Sequence, residues 1–239
     1  MDVHGTYNFR DVGGYPIANG RTRSGKLFRS DALSHLGQEG KDQLKDLGVR
    51  VIVDLRDDDE LEAMPDDLDG LDVNVRHLSI FEGSGRSQTT GTPSVGSLYE
   101  RILFDHSDVL VAALREIANT AEGGVVVHCT AGKDRTGIVI ALALSAVGVD
   151  RATVVADYAR TQANLEGEWV DRIMELARQH NVEVTPHLRT VMAGSPPEAM
   201  EGALAMVDER FGSVTTFLAE SGFTEHDLEN LRSVLAVYN

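Results

Sequence analysis

The chain has 239 residues, 42% hydrophobic and 25% charged, so a sizeable core can be buried and wholesale disorder is excluded. Lys and Arg number 22 against 38 Asp and Glu, and the net charge of −16 repels nucleic-acid backbones and anionic membrane surfaces. A single cysteine forbids an internal disulfide and points to a reducing compartment.

In chain order, Tyr7 to Ser30 is rich in glycine and reads as short strands and turns, and Gln38 to Gly48 as a short helix. Val49 to Leu55 is an apolar run of the kind that forms a buried parallel strand, and Val73 to Ile80 is a second strand. Glu82 to Gly96 holds almost nothing apolar and reads as a loop, the segment most open to movement. Val109, Leu110, Ala113, Leu114 and Ile117 follow helical spacing up to Gly123-Gly124. Val125, Val126 and Val127 make a strand that runs into His128-Cys129, and Ile138 to Val147 is apolar around most of a helix. The longest apolar run, Ile138 to Val149, is broken by Ser145 and Gly148 and falls short of the ~20 residues that span a bilayer, so no stable membrane insertion is expected.

Everything after Asp150 reads as helix, with apolar stripes at Val154 to Ala159, Leu165 to Ala177, Met200 to Phe211 and Leu228 to Tyr238. Ser195 and Glu198 have the spacing of a capping box. Strands first and helices second predict a single α/β domain over residues 1–239. With no secretory signal visible at Met1 to Arg10, the expected location is cytoplasmic, and export without a signal peptide stays open.

Residues 125–137 carry the chemistry: Val-Val-Val-His-Cys-Thr-Ala-Gly-Lys-Asp-Arg-Thr-Gly. A strand ends, a short loop follows and a helix begins, so the N–H groups of Thr130, Ala131, Gly132 and Lys133 can converge on one anion at the positive end of the helix dipole. A thiol held there is favoured as thiolate, which makes Cys129 a nucleophile. Arg135 can fork two hydrogen bonds onto a tetrahedral oxyanion, Gly132 permits the turn, and Thr136 can donate to the thiolate.

His-Cys-x5-Arg-Thr-Gly resembles the signature of the protein tyrosine phosphatase superfamily, in the form found in bacterial tyrosine/serine protein phosphatases. Asn8-Phe9-Arg10-Asp11-Val12-Gly13-Gly14, Leu27-Phe28-Arg29-Ser30, Val53-Asp54-Leu55-Arg56 and Asp157-Tyr158 resemble further stretches of that family. The resemblance implies a central, mainly parallel sheet flanked by helices, and a helical C-terminal half in which residues 165–211 form a lid. It implies hydrolysis of phosphotyrosine, and of phosphoserine or phosphothreonine, in phosphoproteins through a cysteinyl-phosphate, with no cofactor. It also implies Asp134 as general acid, because no Trp-Pro-Asp segment exists and Trp169 is followed by Val170. A rhodanese-like transferase fits the segments poorly, and an inactive phosphate-binding module ordinarily lacks the Cys or the Arg that are both present here.

Asp54, at the end of a core strand, is the other acid candidate, set against a local role beside Arg56. Lys133 places a second positive charge at the loop, a feature shared with phosphoinositide phosphatases, so a phosphoinositide is the alternative substrate. His128 is expected to orient the loop, and Arg10 with Asp11 to form a structural ion pair beneath it. Asp57 to Glu60 lacks the spacing of a calcium loop and reads as the acidic first turn of a helix, and the histidines show no zinc spacing, so no metal is expected.

Overall fold

The computed structural model describes residues 2–81, 94–179 and 194–238. A five-stranded sheet in the order β1-β4-β7-β5-β6 forms its centre, with β1 (Arg10–Asp11), β4 (Leu27–Ser30), β5 (Val49–Asp54), β6 (Asn74–His77) and β7 (Gly124–His128). All pairings are parallel except β1 with β4. Side chains alternate across a strand, and here both faces are buried. Leu27, Val51, Val53, Val125 and Val127 enter the main core, while Phe28, Ile52 and Val126 face a second cluster with Val3, Phe9, Leu36 and Leu44. That two-sided burial explains why β5 and β7 read as unbroken apolar runs. β6 is exposed along all four residues, as suits an edge strand.

α1 (Gly37–Asp46) packs on the second face and α4 (Ser107–Asn119) on the first. The middle of the main core is α5 (Asp134–Ala146), whose residues from Thr136 to Leu144 are all buried. Around it lie α3 (Val95–Asp105), α6 (Arg151–Leu165), α8 (Pro197–Phe211), α9 (Val214–Glu220) and α10 (Glu225–Leu235). α2 (Asp58–Ala63) follows β5, with Asp57 and Glu60 forming a reciprocal capping box.

Three expectations meet a different outcome. Residues 82–93 of the predicted loop lie outside the described residues, and its last positions, Val95 and Gly96, open α3. Ser195 makes no capping box; its hydroxyl donates to the Ala159 carbonyl, and Pro196 stands at the cap of α8 without a side-chain bond. The C-terminal stripe ends as a strand, β8 (Ala236–Tyr238), which pairs with β3 (Gly20–Thr22), itself paired with β2 (Pro16–Ile17).

In the 165–211 segment the two described helices pack in different clusters. The buried Met200, Ala203, Leu204 and Val207 of α8 belong to the main core. In α7 (Glu168–Gln179), Trp169, Val170 and Met174 form a separate small cluster with Leu165, against Tyr7, Ala131 and Ile173. Residues 180–193 lie outside the described residues. No helix among the described residues is long and apolar enough to cross a membrane.

Candidate active site

β7 ends at His128 and α5 starts at Asp134, leaving residues 129–133 as the turn between them. Gly132 has a φ of 63°, and a Cβ there would lie 2.2 Å from the Ser30 carbonyl oxygen, so only glycine fits. The loop carbonyls are held from outside. Asn8 Nδ2 donates to the Ala131 and Gly132 oxygens, both at 3.0 Å, and Arg29 Nη2 donates to Gly132 O at 2.8 Å. Ala32 N donates to Thr130 O at 3.2 Å. Among the described residues no acceptor meets the N–H groups of Thr130, Ala131, Gly132 and Asp134, which leaves an anion cradle at the start of α5. Cys129 is 2% exposed and lies at the floor of this turn.

Arg135 is held by a residue that sequence reading did not assign to the site. Glu60 takes a bidentate fork from it, Nη1 to Oε2 at 2.5 Å and Nη2 to Oε1 at 2.7 Å, while Thr130 Oγ1 donates to the same Oε1 at 2.5 Å. Glu60 also accepts from the Asp57 amide as part of the capping box. Burial alone would raise the Glu60 carboxyl; Arg135, Thr130 and the Asp57 amide outweigh it and bring it down to about 2. Burial likewise opposes the charge of Arg135, but Glu60, Cys129 and Asp134 raise its affinity for its proton.

The far side of the loop rests on Asp157 of α6. Its Oδ1 accepts from Arg10 Nε at 3.0 Å and from Tyr15 at 2.9 Å, and its Oδ2 from Arg29 Nη1 at 2.7 Å. Burial opposes the ionised form, yet Arg29 and Arg10 lower this carboxyl to about 2. The expected Arg10–Asp11 ion pair does not form. Arg10 turns to Asp157 and to Asn8 Oδ1, whereas Asp11 accepts from the amides of Gly13 and Gly25 and closes a turn. Neighbours in a strand face opposite sides, which separates the two charges.

Asp54 is 1% exposed and grips Arg56 through Nε at 2.9 Å and Nη2 at 2.7 Å. Burial disfavours its charge, but Arg56 and His128 lower its carboxyl. His128 is fully buried, with Nε2 3.3 Å from Asp66 and 3.9 Å from Asp54; burial lowers its proton affinity and those carboxylates more than restore it. Asp54, Asp66 and His128 are the one potential metal-ligand group among the described residues. Arg56 Nη2 already sits 2.7 Å from Asp54 and 2.9 Å from Asp66 and offsets part of their charge.

Lys133 is 3% exposed, donates to Gly194 O at 3.1 Å and lies 3.5 Å from Asp134 Oδ2. Asp134 is a quarter exposed and accepts from Tyr99 at 2.8 Å through Oδ1. Thr136 Oγ1 is buried without a hydrogen-bond partner, so it does not reach the thiol. Beside the loop, a groove of about 790 Å³ is lined by Tyr7, Ala32, Met64 and Trp169 together with Glu60 and Thr130.

These pairings set an acid limit. Glu60 and Asp157 have depressed values, so their stabilisation is complete above their ordinary 4.5 and 3.8 and is lost as pH falls toward about 2. Asp31 works the other way. Burial raises it from 3.8 to about 6, so protonation between those values stabilises the fold. The thermal midpoint is therefore expected to fall steeply only below about pH 4. Glu60→Gln should flatten that fall in melts recorded between pH 7 and 2.5; an unchanged slope would remove Glu60 as a cause.

A family model described as the tyrosine phosphatase family matches residues 1–237. The chain is 30% identical to the triple specificity protein phosphatase PtpB of Mycobacterium tuberculosis, over 98% of this chain and 98% of that one. It is 31% identical to a tyrosine-protein phosphatase of Nostoc commune, over 86% of this chain and 72% of that one. Among solved structures it resembles P. aeruginosa TpbA in complex with pTyr, at a TM-score of 0.40 and 22% identity over 59% of this chain and 71% of that one.

Proposed function

We propose how this chain, a protein phosphatase that belongs to the tyrosine phosphatase family, divides its reaction among its residues. The Cys129 thiolate attacks phosphorus, the bond to the ester oxygen breaks, and Asp134 gives that oxygen its proton. Water, deprotonated by the now ionised Asp134, then attacks phosphorus, and the phosphorus–sulfur bond breaks to release phosphate and thiolate. The amides of Thr130, Ala131, Gly132 and Lys133 and the N–H groups of Arg135 that Glu60 does not use take the phosphoryl oxygens, whose charge grows in the transition state. Thr136 is left to meet the thiolate once the cradle is filled.

The observation that carries this reading is the loop itself: carbonyls tied outward by Asn8 and Arg29, amides of Thr130, Ala131 and Gly132 that meet no acceptor among the described residues, and Cys129 beside a rigidly paired Arg135. Asp134 is preferred to Asp54 as acid because it is partly open to solvent, whereas both oxygens of Asp54 are committed to Arg56. Asp54, His128 and Arg10 then serve as supports. The substrate class is a phosphoprotein, and the apolar groove joining Glu60 and Thr130 to Trp169 favours an aryl phosphate. α7 is the part of the 165–211 segment that would cover it. A phosphoinositide is the second reading, carried by the buried charge of Lys133 beside the loop. One substrate panel of phosphotyrosyl peptide, phosphoseryl peptide and inositol phospholipid ranks the three. A thiolate nucleophile is best kept in reducing surroundings, which supports a cytoplasmic location.

The acid assignment has a direct test. Asp134→Asn is expected to lower kcat/KM for phenyl phosphate about 100-fold or more, and for p-nitrophenyl phosphate, whose leaving group needs little protonation, far less. Equal losses on both substrates would move Asp134 to a structural role.

A further inference from the structure

Asp134 is gripped by a pair of buried tyrosines. Tyr99 of α3 and Tyr158 of α6 are 0% and 1% exposed, with their hydroxyl oxygens 2.6 Å apart and their rings edge to face at 87°. Tyr99 also donates to Asp134 Oδ1 at 2.8 Å. An ionised carboxylate only accepts, so the Tyr99 hydrogen points at Asp134, and the short contact between the phenols is a bond from Tyr158 to Tyr99. Burial and the nearby Asp134 carboxylate raise both phenols above their ordinary range, so both stay protonated donors. A Cβ at Gly137 would meet the Tyr158 ring at 3.0 Å, so the last glycine of the motif makes room for this pair.

We propose that Tyr99 is a positioning residue for the proton transfer. Its donation reserves Oδ1 as an acceptor and leaves Oδ2 as the oxygen that delivers the proton to the leaving group and takes one back from water. Tyr158 orients the Tyr99 hydroxyl for this task. A proton on Oδ1 would face the Tyr99 hydrogen head-on, and both tyrosines would have to turn in a packed core. At Oδ2 the nearby donor is Lys133 Nζ, 3.5 Å away and already giving a hydrogen bond to the Gly194 carbonyl, so a proton there displaces no hydroxyl packed in the core. The role rests on Asp134 being the general acid.

The experiment compares kcat/KM for phenyl phosphate and p-nitrophenyl phosphate in Asp134→Asn, Tyr99→Phe and Tyr158→Phe. Tyr99→Phe is expected to lose about 10-fold on phenyl phosphate and no more than about twofold on p-nitrophenyl phosphate, and Tyr158→Phe to lose less in the same sense. A purely structural role would lower both substrates together. If Asp134→Asn discriminates between the leaving groups and Tyr99→Phe does not, the positioning role falls alone. If Asp134→Asn itself fails to discriminate, the acid reading falls and takes the positioning role with it. Should Tyr99→Phe not fold, Tyr158→Phe, which keeps the Tyr99 bond to Asp134, decides the matter, and a loss equal on both substrates overturns the proposal.

Discussion

Cys129→Ser is expected to lose at least about 10⁴-fold in kcat toward p-nitrophenyl phosphate while still binding inorganic phosphate. His128, next to this position in sequence, is fully buried with its Nε2 turned to Asp66, so it is not placed to activate a serine hydroxyl. The binding elements do not depend on the sulfur. Asn8, Arg29 and Ala32 hold the loop carbonyls through bonds that bypass residue 129, and Glu60 holds Arg135. Arg135→Lys should impair both functions together. An ammonium cannot supply the fork, so phosphate binding is expected to weaken along with turnover, and Glu60 loses its bidentate partner while keeping the bond from Thr130. Calorimetric titration with phosphate beside steady-state assays distinguishes the variants. Appreciable metal-dependent turnover by Cys129→Ser would overturn the cysteinyl-phosphate mechanism.

The turn between β7 and α5 that carries Cys129 was legible because its signal is local. A β-branched strand, a glycine at a positive φ and an apolar helix stand in one continuous stretch, and each constrains the next. α5 was legible for the same reason: a helix apolar on every side has nowhere to go but the centre. What escaped was set by distant partners. Glu60 belongs to a capping box that is complete as a local motif, and nothing in that motif shows that the same carboxylate receives Arg135. Tyr99 lies in a helix that follows a polar stretch, and its partner Tyr158 is 59 residues away. β8 escaped because Leu228, Leu231 and Leu235 carry a helical stripe to the last residue before it, and its strand character comes from pairing with Gly20–Thr22. Asp54 ends a parallel strand, where ligand sites are common, but Arg56 two residues later folds back on it.

The dipeptide Asp157-Tyr158 joins both flanks of the loop to one helix. Successive residues of a helix point about 100° apart, so Asp157 faces Arg10 and Arg29 under Gly132 while Tyr158 faces Tyr99 and Asp134. Asp157→Asn should therefore be the most destabilising single change near the site. It keeps the shape but removes the one negative charge between two guanidinium groups that are 4% and 0% exposed. Breaking a buried pair from one side costs about 3–5 kcal/mol, since the remaining charge has no water to return to. For a chain of this size that corresponds to a fall of roughly 10 °C in the thermal midpoint. The damage should also reach function. Arg29 uses its other nitrogen on the Gly132 carbonyl, and a guanidinium released from Asp157 no longer holds that carbonyl away from the cradle. Phosphate affinity should drop with stability, even well below the melting range. Urea denaturation gives the stability change and phosphate titration at 10 °C gives the affinity. A variant that unfolds at the parent's urea midpoint would mean that Arg10 and Arg29 find other acceptors, and that α6 does not hold the loop through this carboxylate.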